Sequence, residues 1–242
     1  MHKRSRTALG AMTALALAIG AVAPAAAAGT ATYEVTITNL ASGQPLTPPI
    51  VAIHRGSTGL FAIGEAASTG IREIAENGNG GPLLDWLGAN RNVTAVHAAG
   101  APLVGPGSPG LAHFSGSVTF TIETSRDGRF LSWASMLICT NDGFTGVNRL
   151  KLPNAVGGSA TALTAGYDAG TEVNTEAFAD IVPPCQVLSG LVPVGGSGMS
   201  DPALAEGGVI HHHAGIAGSA DLDPAFHGWS DPVASITVTR IG

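Results

Sequence analysis

An apolar run that stops at an acidic turn constrains this chain more than any other feature. The run, Phe130 to Cys139, is followed at once by Thr140-Asn-Asp-Gly143, and a second acidic turn, Tyr167-Asp-Ala-Gly-Thr-Glu172, comes shortly after. A short apolar run bounded by turn residues is typical of a strand. Because only 12% of the residues are charged, carboxylates placed where strands end are the first candidates for a functional site.

The N-terminal segment predicts export. Residues 1–6 are basic, residues 8–22 are apolar and uncharged, and residues 26–28 are alanines. This order is that of a secretory signal peptide, so we expect residues 1–28 to be removed and residues 29–242 to form one extracytoplasmic domain, in the periplasm, at the cell surface or in the medium. A membrane anchor is the alternative, but the run is shorter than the roughly 20 residues that span a bilayer. We therefore expect no stable membrane insertion after signal cleavage.

The composition favours an all-β fold and argues against nucleic acid as a partner. A net charge of −6 without a cluster of Lys or Arg lacks the basic patch of a nucleic-acid-binding protein. The 34 glycines and 15 prolines favour many short strands joined by tight turns.

The pattern along the chain predicts an antiparallel β-sandwich with one or two short inserted helices. Alternating or apolar patterns predict strands at residues 32–39, 50–54, 92–97, 116–124, 130–139 and 233–240. Helical spacing appears at residues 61–77 and 82–87. The turn Arg126-Asp-Gly128 predicts that the strands on either side of it form a hairpin.

Cys139 and Cys185 are the only cysteines. In an oxidising compartment such a pair most simply forms a disulfide, which would join the Asp142 turn to the segment after Glu172. Two buried free thiols are the alternative. A catalytic cysteine has no support, because no His or Asn stands in a thiol-protease context.

Asp142, Asp168 and Glu172 are candidate ligands for a calcium ion. Calcium takes 6 to 8 oxygen ligands from carboxylates, carbonyls and water, and loops at the end of a sheet supply them. Without a cation, like charges brought together would raise the pKa of at least one carboxyl. The alternative is that these side chains only cap backbone N–H groups in turns.

Two segments carry a resemblance to a known family. They are Ser135-Met136 with Asp142, Phe144, Gly146 and Val147, and then Asp168-Ala-Gly-Thr-Glu172. The chain resembles the bacterial branch of the spondin N-terminal (F-spondin) domain, and the similarity extends to Leu60–Ser68, Leu111–Ala112, Glu206–Ile210 and Trp229–Val233.

The resemblance implies a C2-like β-sandwich that binds one calcium ion at one end and works in extracellular adhesion. Carried over residue by residue, it implies Asp142, Asp168 and Glu172 as metal ligands. We expect the partner to be an extracellular protein or a glycan. The chain departs from the family pattern in two places: Cys139-Thr-Asn141 and Gly143 replace Pro-Ser-Pro and Trp, and Glu172 replaces an Asp.

His211-His-His213 suggests a different function, a secreted metal-dependent hydrolase that uses these histidines or the acidic turns. In a strand, consecutive side chains point to opposite faces, so at most His211 and His213 could converge. A closed zinc site needs about four ligands, and no further metal motif lies nearby. We therefore expect a non-enzymatic module, with the hydrolase as the alternative.

Overall fold

The computed structural model describes residues 29–56, 58–106, 113–189 and 200–242. The predicted signal peptide, residues 1–28, and part of the Pro/Gly-rich loop, residues 107–112, lie outside the described residues. The strands in chain order are β1 Thr30–Asn39, β2 Ile50–His54, β3 Val93–Ala98, β4 Ser117–Ser125, β5 Phe130–Met136, β6 Gly143–Lys151, β7 Ser159–Thr164, β8 Gly166–Asp168, β9 His211–His212 and β10 Ala234–Arg240.

These strands form two antiparallel sheets, which confirms the predicted β-sandwich. The four-stranded sheet has the order β4-β1-β10-β7, and the six-stranded sheet has the order β3-β2-β5-β6-β8-β9. The inward side chains of β1, such as Val35 and Ile37, share a core with Val51 of β2 and Trp133 of β5. All four side chains are completely buried, so the sandwich core lies between the sheets.

Within the described residues, four short α-helices accompany the sheets: α1 Thr69–Asn77, α2 Gly81–Ala89, α3 Pro184–Ser189 and α4 Pro224–His227. Helices α1 and α2 bury Ile71 and Leu83 in a second core, together with Met136 of β5 and Phe144 of β6. The six-stranded sheet is therefore covered on both faces, by the other sheet and by helices. This explains why β5 is apolar almost throughout instead of alternating.

The first helix is shorter than the sequence pattern predicts. It begins after Ser68, whose hydroxyl accepts the N–H of Ile71, and it ends at Gly78 in the left-handed conformation. Residues 61–67 form turns and irregular structure. The second predicted helix, residues 82–87, is confirmed as α2.

The predicted hairpin of residues 116–124 and 130–139 is wrong. Strand β4 pairs with β1 in the four-stranded sheet, whereas β5 pairs with β2 and β6 in the other sheet. The turn at residues 126–128 exists, but it carries the chain from one sheet to the other. Strand β5 also ends at Met136 instead of Cys139. Strand β4 alternates between exposed and partly or fully buried side chains and suits a sheet with one face in solvent, whereas β5 is buried almost throughout and suits a central position in the sheet that is covered on both faces.

The predicted disulfide is confirmed. Cys139 and Cys185 are bonded, with Cα atoms 5.0 Å apart, and they join the loop between β5 and β6 to α3 across a sequence separation of 46. Among the described residues, no helix is both long enough and apolar enough to cross a membrane.

Candidate metal centre

The two acidic turns lie side by side at one end of the six-stranded sheet. Asp142 is the last residue of the loop before β6, and Asp168 is the last residue of β8. These strands are paired so that Gly143 lies opposite Asp168. The N–H of Ala169 donates to the carbonyl of Asp142 at 3.1 Å. Antiparallel pairing therefore places two turns distant in sequence against each other.

Asp142 is completely buried, and its two carboxylate oxygens have different surroundings. Oδ2 accepts the backbone N–H of Thr171 at 2.7 Å, the N–H of Glu172 at 3.0 Å and the hydroxyl of Thr171 at 3.2 Å. Oδ1 is buried without a hydrogen-bond partner. A buried carboxylate oxygen without a donor is costly, so Oδ1 is a site where a proton or a cation could bind.

Asp168 is 2% exposed and lies next to Asp142. Its Oδ1 accepts the N–H of Gly170 at 2.7 Å, and its Oδ2 accepts the side-chain N–H of Asn174 at 2.6 Å. His211 Nδ1 lies 3.8 Å from Oδ1. Each carboxylate oxygen has a second lone pair, so Asp168 can still bind a cation.

Gly170 makes the second turn possible. Its φ of +67° is in the left-handed region. A Cβ at this position would lie 2.6 Å from both the backbone nitrogen and the carbonyl oxygen of Val209. Only glycine combines this backbone conformation with so close an approach.

The side chain of Glu172 has its own surroundings. Its Oε1 accepts the N–H of Asp201 at 2.8 Å, and the carboxyl lines a cavity of about 370 Å³ together with Glu76 and Asp201. Burial, opposed by the Asp201 N–H and reinforced by the charge of Glu76, raises the pKa of Glu172 to about 7. The backbone N–H of Glu172 therefore donates to Asp142, while the Glu172 carboxylate accepts from Asp201.

The three acids do not form a compact ligand set. Among the described residues, the one group of three or more His, Cys, Asp or Glu side chains with all ligand atoms within 4.8 Å of one another is Cys139, Cys185 and His227. Asp142 and Asp168 still interact. Burial first, and then the charge of Asp168, raises the pKa of Asp142 to about 6. A divalent cation between these two carboxylates would relieve that repulsion, and its other ligands would have to be neutral oxygens or water. The assignment of Glu172 as a direct ligand stays a prediction.

Sequence reasoning missed several residues that hold the site in place. Asn141 Oδ1 accepts the N–H of Glu176 at 3.3 Å. The Glu176 carboxylate accepts the N–H groups of Ala217 and Ser219, each at 2.6 Å. Asn174 could have been suspected as a polar residue close to Asp168, but nothing in the local pattern connects Glu176 with residues 217–219.

The three histidines face different neighbours. His211 lies near Asp168, the ring of His212 is 5.3 Å from that of Tyr167, and the ring of His213 is 5.0 Å from that of Trp229. They do not belong to any compact group of metal-binding side chains in the part of the chain that the structure describes.

Comparison with known proteins identifies a family for the chain. No curated protein matches the chain. The model of the spondin N-terminal domain family, Spondin_N, matches residues 42–179, which are more than half of the chain and include Asp142, Asp168, Glu172 and Cys139. The chain belongs to the spondin N-terminal domain family.

Proposed function

We propose that this protein is a secreted, non-enzymatic, calcium-binding adhesion module, in which one calcium ion orders the turns at the end of the six-stranded sheet. The ion would be held by Asp142 and Asp168 together with neutral oxygens or water, and Glu172 would become a ligand only if its carboxylate turned away from the N–H of Asp201. When bound, it supplies positive charge that lets the buried carboxylates coexist. The loops ordered in this way, or the surface beside them, would contact an extracellular protein or a glycan.

The observation that carries the proposal is Asp142 Oδ1. It is buried without a donor, whereas the other oxygen of the same carboxylate accepts three hydrogen bonds. A side chain that only capped the turn would be satisfied by Oδ2 alone and would gain nothing from burying Oδ1. The raised pKa of Asp142, caused by burial and by Asp168, agrees with a group that lacks a counter-charge.

Three further observations support the secreted and non-enzymatic parts of the proposal. The Cys139–Cys185 disulfide suits an oxidising compartment. The spondin N-terminal domain family is not a known enzyme family. The histidines that the hydrolase alternative needs are dispersed among different neighbours.

Isothermal titration of the purified protein with calcium chloride tests the proposal. We expect saturable binding of one ion by the wild type and loss of binding in Asp142→Asn and in Asp168→Ala. Asp127→Asn is the matched control, because Asp127 is an exposed acid in the turn between the sheets and pairs with Arg55. No binding by the wild type, or equal binding by Asp142→Asn and the wild type, would reject the site.

A further inference from the structure

A buried histidine, His227, lies close to the Cys139–Cys185 disulfide. Cys139 and Cys185 are fully buried, and His227 is 1% exposed. One ring nitrogen of His227 lies within 4.8 Å of both sulfur atoms. Its Nε2 is buried without a hydrogen-bond partner.

The hydrogen bonds of His227 determine which ring nitrogen carries the proton. Nδ1 accepts the backbone N–H of Asp223 at 3.0 Å, so Nδ1 must be unprotonated. Burial lowers the pKa of the imidazole, and a neutral imidazole carries one proton. That proton is therefore on Nε2, which is a donor that lacks an acceptor.

This tautomer argues against a metal ion at the cluster. A metal ligand needs a free lone pair, and Nε2 has none while Nδ1 accepts the Asp223 N–H. A disulfide sulfur is a weak acceptor, whereas a thiolate is a strong one. Nε2–H is therefore a buried donor on a ring that lies close to two sulfur atoms, and a thiolate there would be a far stronger acceptor than the disulfide.

Gln44 holds the two parts of this arrangement together. Its side-chain N–H donates to the carbonyl of His227 at 2.8 Å and to that of Cys139 at 3.2 Å, and its Oε1 accepts the N–H of Cys139 at 3.0 Å. Gln44 is itself fully buried. Gln44 therefore joins the backbone of His227 to the backbone of Cys139.

We propose that Cys139 and Cys185 form a reversible redox site for dithiol reductants, in which His227 is a positioning residue that donates Nε2–H to the thiolate of the reduced state. A thiolate of the reductant attacks one protein sulfur, the S–S bond breaks, and the other sulfur leaves as the thiolate that accepts Nε2–H. The second thiol of the reductant then attacks the mixed disulfide. Two electrons pass to the protein, and the reductant becomes a disulfide. The reductant also loses two thiol protons: one protonates a protein sulfur, and the other goes to solvent.

Both sulfurs are buried, so the exchange requires α3, a helix of six residues, to open transiently. Opening sets the rate of exchange, while the hydrogen bond to the thiolate sets the equilibrium. Among the described residues, His227 is the titratable group that faces both sulfurs, and the Asp223 charge lies behind it. The proposal does not depend on calcium binding.

The test is equilibration of the purified protein with mixtures of reduced and oxidised dithiothreitol, followed by alkylation and mass measurement of free thiols. At pH 8 we compare the ratio of reduced to oxidised dithiothreitol at which each protein is half reduced. We expect this ratio to be about tenfold lower for the wild type than for His227→Phe. The difference should vanish near pH 5, where both thiols are protonated in either protein. His227→Gln, which keeps an N–H donor, should lie between them.

Equal midpoints for the wild type and His227→Phe, or a difference that does not change with pH, would overturn the proposal, because packing alone is insensitive to pH. Stoichiometric Zn²⁺ uptake by the reduced wild type would also overturn it. If His227→Phe does not fold, thiolate absorbance of the reduced wild type decides: one thiol should titrate below the ordinary pKa of about 8.5. Titration of both thiols at or above that value rejects the site.

Discussion

Thr171 donates its backbone N–H to Asp142 Oδ2 across 2.7 Å, and this bond joins two turns that are 29 residues apart. The bond fixes one oxygen of Asp142 against the second turn and leaves the other oxygen buried without a partner. The same contact therefore holds the two turns together and underlies our proposal that a cation binds between them.

We predict that calcium stabilises the protein more at pH 8 than at pH 5. The pKa values of Asp142 and Glu172 are raised to about 6 and about 7. A carboxyl with a raised pKa contributes stability that is fully present below its unfolded value, about 4, and is lost as pH rises through its folded value. Calcium replaces the lost protons, so its effect on Tm should grow from pH 5 to pH 8.

Thermal unfolding in calcium and in a chelator, at pH 5, 6, 7 and 8, measures this effect. His211 also titrates near the site, and its pKa is raised by a hydrogen bond to the Val209 carbonyl and by the charge of Asp168. His211→Gln is therefore the control, and it should keep the trend. The same rise in Tm at pH 5 and at pH 8 would contradict the prediction.

Asp142→Asn should separate the cost of the buried charge from the gain of binding. The amide oxygen can keep the hydrogen bonds of Oδ2, and the amide N–H₂ would take the place of Oδ1. In a chelator at pH 8 we expect the variant to be more stable than the wild type by about 3 kcal/mol, since burial and Asp168 raise the pKa of Asp142 from its ordinary value to about 6 and each pKa unit corresponds to about 1.4 kcal/mol. In calcium the order should reverse. Denaturant unfolding in the chelator and in calcium measures the difference in unfolding free energy between the two proteins. A variant that is less stable than the wild type in the chelator would show that the buried charge of Asp142 is not destabilising.

Gly170→Ala should destabilise the second turn by about 2 kcal/mol or more. The residue has a φ of +67°, and an added Cβ would lie 2.6 Å from backbone atoms of Val209. Gly157→Ala is the matched control, because Gly157 also has a positive φ, +82°, but nothing lies within 4 Å of an added Cβ. Denaturant unfolding measures the loss of unfolding free energy in each variant. Similar losses in the two variants would show that the backbone of Val209 can move to make room for the added Cβ.

Loss of the disulfide should lower the free energy of unfolding by about 4 kcal/mol, because the loop it closes spans 46 positions. The double variant Cys139→Ala, Cys185→Ala measures this without leaving a free thiol. Reduced calcium affinity in the same variant is expected too, since Cys139 lies three residues before Asp142 in the same loop. An unchanged unfolding free energy would mean that the loop is held by Gln44 and its contacts alone.

Local pattern predicted most of the strands, because alternation and apolar runs report which faces of a strand are covered. The alternation at Val35 and Ile37 identified β1, and the uninterrupted run from Phe130 identified β5. The same patterns could not show that β4 and β5 belong to different sheets. A turn such as Arg126-Asp-Gly128 is compatible with a hairpin and with a passage between sheets, and only the packing of both layers distinguishes them.

The candidate site divides in the same way. The sequence identified Asp142 and Asp168 as acids in turns. Their proximity comes from the pairing of β6, which begins just after Asp142, with β8, which ends at Asp168, and neither of these strands was predicted from the sequence. The Glu172 carboxylate faces Glu76 and Asp201, which belong to segments far away along the chain, and no local pattern encodes that contact.

By itself the sequence determined six of the ten described strands, the position of the acidic turns and the one possible disulfide, because these depend on neighbouring residues or on there being two cysteines. It did not predict β6, β7, β8 and β9. Tertiary structure alone decided the strand order, the unpartnered oxygen of Asp142 and the position of His227 beside the sulfur atoms. These features depend on how segments distant in sequence pack against one another, and the free energy of that packing depends on all the sheets, helices and loops together.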